Sequence, residues 1–132
     1  MIKELVIKNE YCRVILSNGI LHMHFNSDLY ITLEVAKICV KERIRTFGNK
    51  SYPMLIYPGK NAHISPRARK YLSKKEATQF ISAGAIIVRN NIHKHLAMVF
   101  ITIDRPIIPT RFFTDVHQAL SWLEYYKFKN LN

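Results

Sequence analysis

A chain of 132 residues carrying 20 Lys and Arg against nine Asp and Glu, for a formal charge of +11, has room for one hydrophobic core, so a single domain spanning 1–132 is expected. Hydrophobic residues make up 48%, with seven Tyr, seven Phe and one Trp, which excludes a disordered chain. The cationic excess favours anionic partners as a class (nucleic acid, phosphorylated ligands, acidic protein surfaces, anionic lipid) without choosing among them.

Met1 to Glu10 lacks the charged and apolar regions of a secretory signal, and a cytoplasmic location is expected. Leu96 to Ile103 is the longest apolar run. It is far short of the roughly 20 residues that span a bilayer and suits a buried helix. Ile2 to Ile7 is a candidate flanking strand. From Tyr11 to Phe25 the pattern predicts a hairpin, because Asn18-Gly19 is the preferred pair for a type I′ turn. Closing on that turn sets Leu16 opposite Leu21, Val14 opposite Met23 and Cys12 opposite Phe25, which makes one apolar face. Arg13 opposite His24 and Ile15 opposite His22 make the other, half-polar face. Cys12 in this hairpin and Cys39 in the next helix have no other ligand residue beside them and read as small buried hydrophobes.

Thr32 is the predicted N-cap of a helix whose apolar positions Leu33, Ala36, Val40, Ile44 and Phe47 recur in steps of three and four until Gly48. Lys37, Lys41, Glu42, Arg43 and Arg45 are assigned to its solvent face. Tyr52 to Tyr57 reads as a short buried strand, with Pro53 near its start, set parallel to an earlier strand by a right-handed crossover. Ser65-Pro66 then signals a helix over Pro66 to Tyr71, and Ser73-Lys74-Lys75-Glu76 fits a capping box opening a second helix over Lys74 to Ile81. Ala83 to Val88 is an apolar strand. After Asn91 the residues Ile92, His95, Leu96, Val99, Phe100 and Ile103 share a helical face, with a strand from Ala97 as the rival reading, and Arg105-Pro106 ends the segment. Thr110 to Phe113 is the last strand, and Thr114 caps a helix with a stripe of Val116, Ala119, Leu120 and Leu123. Val14, Met23, Ile56, Ile86, Val99 and Leu120 are expected in one core.

The ending RFFTDVHQALSWLEYY (Arg111 to Tyr126), the strand YPMLIY and the segment SPRARKYLS resemble small bacterial proteins with a STAS-like fold, the SpoIIAA-like family of anti-sigma-factor antagonists. The resemblance implies an α/β domain with an N-terminal β-hairpin followed by helix–strand units, a mixed sheet of about five strands, and helices mainly on one face. It also implies a partner-docking surface at the loop and helix after the strand 52–57, where the family carries a phosphorylatable Ser or Thr. The nearest positions here are Ser65 and Ser73. The Asp-Ser-Ser or Asp-Ser-Gly pattern that presents that serine is absent.

No catalytic constellation accompanies these elements, and a non-enzymatic protein without a cofactor is expected. His22 and His24 share a strand face but lack a third ligand, and His93 and His95 diverge on a helix, so all four read as surface or interface histidines rather than a metal site. Neither cysteine has a loop histidine nearby, and Gly-x-Ser-x-Gly is missing. Pro58-Gly59-Lys60 lacks the spacing of a phosphate loop. The basic run is more informative. Lys60, Arg67, Arg69, Lys70, Lys74 and Lys75 lie within residues 60–75 without one Asp or Glu, and with His63, Ser65 and Ser73 they form the candidate partner or anion-binding set. Three readings compete: a solvated face, a site for an anionic ligand or acidic protein, and a nucleic-acid footprint. Tyr71 is the only aromatic residue between positions 60 and 75, so interleaved stacking does not support the last.

The sequence therefore points to a non-catalytic interaction module that docks a protein through Pro58 to Ile81. The alternative is a binding protein or sensor for an anionic or amphipathic small molecule, lipid or nucleotide, since STAS-like folds resemble lipid-carrying CRAL-TRIO domains. Ile15, Ile20, Leu55 and Ile87 alternate onto the second sheet face beside His22 and His24. Either an N-terminal segment or a helix folds over them, or two chains meet there; a homodimer through Ile15, Ile20, His22 and His24 is the expectation adopted.

Overall fold

The computed structural model describes residues 5–129. In chain order the elements are β1 (Leu5–Lys8), β2 (Cys12–Ser17), β3 (Ile20–Phe25), β4 (Tyr30–Ile31), α1 (Leu33–Phe47), β5 (Tyr52–Tyr57) and β6 (His63–Ile64). They continue with α2 (Pro66–Leu72), α3 (Lys75–Thr78), β7 (Ile81–Ile87), α4 (Asn91–Val99) running into a π-helical turn (Phe100–Asp104), β8 (Thr110–Phe113) and α5 (Val116–Lys129). The mixed sheet has six strands in the order β1-β2-β3-β5-β7-β8. Its first three are antiparallel and the rest pair in parallel. β1 supplies the edge strand sought in Ile2 to Ile7, of which residues 2–4 lie outside the described part. A two-residue parallel pair, β4 with β6, stands apart from this sheet.

The hairpin has the register that its turn dictates, with Val14 opposite Met23 and Ile15 opposite His22. Asn18 and Gly19 have φ of 51° and 75°, the two left-handed residues that a type I′ turn needs. Parallel pairing carries the hairpin's faces across the sheet. Met23 lies beside Ile56, and Ile56 beside Ile86, so one face collects Val14, Met23, Ile56 and Ile86. α1, α2, α3 and α4 cover this face, and α5 alone covers the other. The predicted single core is accordingly corrected. Val14, Met23, Cys39 and Phe47 belong to one cluster, whereas Leu120 packs on a second cluster across the sheet, with Ile20, Leu55, Ala85, Ile87 and Leu123. Ile56, Ile86 and Val99 are only half-buried. A third cluster joins Ile31, Ala36 and Ala68 where α1 meets α2. Cys12 and Cys39 are buried as a thiol pair with Sγ atoms 3.6 Å apart.

Several expected helix ends shift. Thr32 caps α1 by accepting from Val35 N–H, and Gly48 closes it. The capping box at Ser73 does not form: its hydroxyl donates backward to the Lys70 carbonyl at 2.6 Å, and α3 starts from Lys74 without a side-chain cap. α3 then stops at Thr78 rather than reaching Ile81, because Phe80 is left-handed at φ 65° and turns Ile81 into the sheet beside Tyr52. Asp115 caps α5 in place of Thr114, accepting from His117 N–H at 2.7 Å. In α4 the buried side chains are His93 and Ala97, while Ile92, His95 and Ile103 are exposed, so the apolar face is rotated from the one predicted.

The second sheet face is closed within the chain over much of its area. Ile20 is 3% exposed, and Leu55 and Ile87 are also buried, all beneath Ala119 and Leu123 of α5. The open apolar patch from which a dimer was expected is thus reduced to half-buried Ile15 with His22 and His24, next to exposed Val6 of β1. There Tyr57 stacks on His24 with ring centroids 4.0 Å apart, and its hydroxyl lies 3.2 Å from His22 Nδ1.

Two consequences can be measured. Ile87→Ala should cost about 2–5 kcal/mol in a urea melt, and Ile86→Ala clearly less, since only Ile87 is fully enclosed. Burial first, then the charges of Arg13 and His22, lowers the His24 pKa below its usual 6.5. The folded state therefore resists a proton that the unfolded chain accepts. The stability from neutral His24 is complete above about pH 6.5 and is lost as the pH falls toward the depressed value. The melting temperature should drop over that interval, and His24→Gln should flatten the drop.

Candidate functional site

The face formed by β3, β5 and β7 does not fill with side chains. Gly84 stands in the middle of β7, paired with Met54, and no atom lies within 4 Å of where its Cβ would project. Its φ is not left-handed, so the backbone does not require glycine here; the missing side chain leaves space. That space is part of a cavity of about 190 Å³ whose floor is Met23, Ile56, Gly84 and Ile86. Cys39 and Val40 of α1, Leu72 of α2 and Leu96 and Ala97 of α4 close it from above, and Ala62, His63 and Ile64 border it after β5. Pro58-Gly59 holds this border close to the sheet, because Gly59 presses against the backbone of Asn26, where a side chain would not fit.

Three buried polar side chains, Arg43, Thr78 and His93, interrupt the apolar wall, and the Thr78 hydroxyl is spent on the Lys74 carbonyl at 2.9 Å. Arg43 is 2% exposed. Its Nη1 donates to the Gln79 carbonyl at 2.8 Å and its Nη2 to the Ala77 carbonyl at 2.7 Å, which satisfies the end of α3. Among the described residues no carboxylate lies within 4.0 Å of it. Burial pulls its pKa down to about 10, still far above neutrality. His93 is 7% exposed, and its buried Nδ1 has no hydrogen-bond partner among the described residues. Arg43 bonds the carbonyls just before β7, whereas His93 sits in the helix just after it, so the two mark opposite ends of that strand.

The residues singled out from sequence divide into an outer and an inner group. Lys60, Arg67, Lys70, Lys74 and Lys75 are exposed. Arg69 turns inward, its Nε 2.8 Å from Asp104 Oδ2, and ties α2 to the π-helical turn. His63 is exposed at the cavity border. Ser65 is half-buried and caps α2 by accepting from Ala68 N–H at 3.1 Å. Ser73 is 1% exposed, its hydroxyl turned onto the Lys70 carbonyl at the end of α2. Arg43, assigned to a solvent face, and His93, read as a surface or interface histidine, are both buried. Arg43 falls three residues after Val40 and four before Phe47, on the buried stripe, and His93 precedes buried Ala97 by four. Among the described residues no group of His, Cys, Asp and Glu is placed to hold a metal ion, and no helix is long and apolar enough to cross a membrane.

No curated protein matches the chain. Among solved structures it is similar to an uncharacterized protein of the DUF3478 family from Shewanella loihica PV-4, described as having a SpoIIAA-like fold. The two superpose with a TM-score of 0.57 at 14% identity over 92% of each chain, which establishes the mixed α/β, SpoIIAA-like architecture. A family model described as a domain of unknown function, DUF7793, matches residues 14–127, from β2 through most of α5, and the chain belongs to that family.

Proposed function

We propose that this domain is a non-catalytic binding module that takes a small, largely apolar or amphipathic molecule between its sheet and the helices α1 to α4. The observation that carries this reading is the 190 Å³ cavity, with glycine at the centre of its floor. An apolar protein cavity of roughly 150 Å³ accepts benzene, so this one suits a body modestly larger, on the order of ten heavy atoms. Apolar enclosure supplies affinity, and the few buried polar groups set orientation.

A second reading is docking of an acidic protein surface on the segment Pro58 to Ile81. It is favoured by the five exposed cations of that segment, whose inner side borders the same cavity. A binding event inside could thereby alter the surface outside, as a regulatory module would require.

Native mass spectrometry of the purified protein and thermal melts with octan-1-ol test the first reading. A bound small molecule, or a melting temperature that climbs with the alcohol, is expected for the parent and absent in Gly84→Leu, which should still fold because no atom lies within 4 Å of the position of its Cβ and the side chain fills the cavity. No response in the parent would remove the cavity reading. For the second, Arg67→Glu with Lys70→Glu should leave the melting temperature nearly unchanged, since exposed charges contribute little, and should weaken capture of acidic partners at low salt. Equal capture would reduce the cluster to a solvated face.

A further inference from the structure

Arg43 is a buried cation without an anion among the described residues. Its two carbonyl bonds occupy two of the five N–H donors of a guanidinium and cap α3, but neither carbonyl brings a negative charge. The contrast with Arg69 is direct: that side chain is less buried and has Asp104 at 2.8 Å. A charge taken out of water needs a counter-charge or bears a large desolvation cost, and the side chain lines an almost wholly apolar cavity. A neutral donor could have satisfied the same two carbonyls. The positive charge itself is what the fold of α3 leaves unexplained.

We propose that the molecule taken into the cavity is an organic anion, a monocarboxylic acid with an apolar body of roughly six to ten carbons, whose carboxylate pairs with Arg43. This rests on the cavity-binding reading and names the chemical class of its ligand. The planar guanidinium matches a carboxylate in shape and in charge, one against one. A dianionic phosphate would instead bring a surplus negative charge into a wall whose other arginine, Arg69, is already paired with Asp104. His93, at the opposite end of β7, takes no part in this pairing.

The test compares octanoate with octan-1-ol on the intact chain by calorimetry near pH 7.5 and low salt. Octanoate should bind at least tenfold tighter than the alcohol, Arg43→Met should erase that preference, and Gly84→Leu should abolish the binding of both. Equal binding of acid and alcohol would overturn the anion proposal while leaving the cavity reading in place. If neither binds, both fall. Octanoate binding that survives Gly84→Leu would place it on the exposed lysines and overturn the proposal. Should Arg43→Met fail to fold, a carboxyl-labelled octanoate titrated by ¹³C NMR on the parent protein decides: a bound carboxyl with its pKa below that of free octanoate is expected, and one unshifted or raised overturns the pairing.

Discussion

The reach of Arg43 from α1 to the carbonyls of Ala77 and Gln79 is the interaction on which the arrangement around the cavity depends. A helix of four residues cannot satisfy its own last carbonyls, and buried without partners they would oppose folding. The guanidinium supplies the missing donors and thereby fixes where α3 ends. One residue later the left-handed Phe80 turns the chain, and Ile81 enters the sheet beside Tyr52. The position of β7, and with it the placement of Gly84, is set by a side chain 34 residues upstream of Ala77.

β7 serves two unlike neighbours. On one face Ala83 and Ala85, with Ile87, let α5 lie close against the sheet, and Leu123 is fully buried there. On the other face the alternation gives Gly84 and Ile86, and the helices opposite stand over a space rather than over packed side chains. Small residues thus act in opposite senses on the two faces. Alanines toward α5 permit contact, and the glycine toward α1 and α4 prevents it. A close-packed interior would fill such a space, so its retention, beside a histidine nitrogen without a partner among the described residues, is the kind of local inconsistency that marks a functional region.

The segment after β5 links this interior to the surface. Its backbone pairs β6 with β4 and hydrogen-bonds Ser65 N–H to the Ile31 carbonyl at 3.0 Å, so the loop is held rather than free. Ala62 and Ile64 face inward while Lys60, Arg67 and Lys70 face outward. One piece of chain thus both borders the cavity and carries the cations.

Local chemistry was legible from the residues alone. The Asn18-Gly19 turn set the hairpin register, Thr32 and Ser65 capped their helices, and the apolar run of 52–57 formed its strand, because each depends on neighbours close in sequence. Element order and the short motifs of the ending likewise pointed to the SpoIIAA-like fold, and the outward cations of the 60–75 segment were recognisable by composition. What a residue faces was not legible wherever a distant partner decided it. Arg43 is charged and was assigned to solvent, yet it is buried because α3 offers it two carbonyls; Ser73 fits a capping box, yet the preceding turn takes its hydroxyl. Ile20, Leu55 and Ile87 looked open until α5 folded over them. The cavity is the extreme case: it is an absence of atoms created jointly by Gly84 and helices from four separate stretches, and no window of sequence contains it.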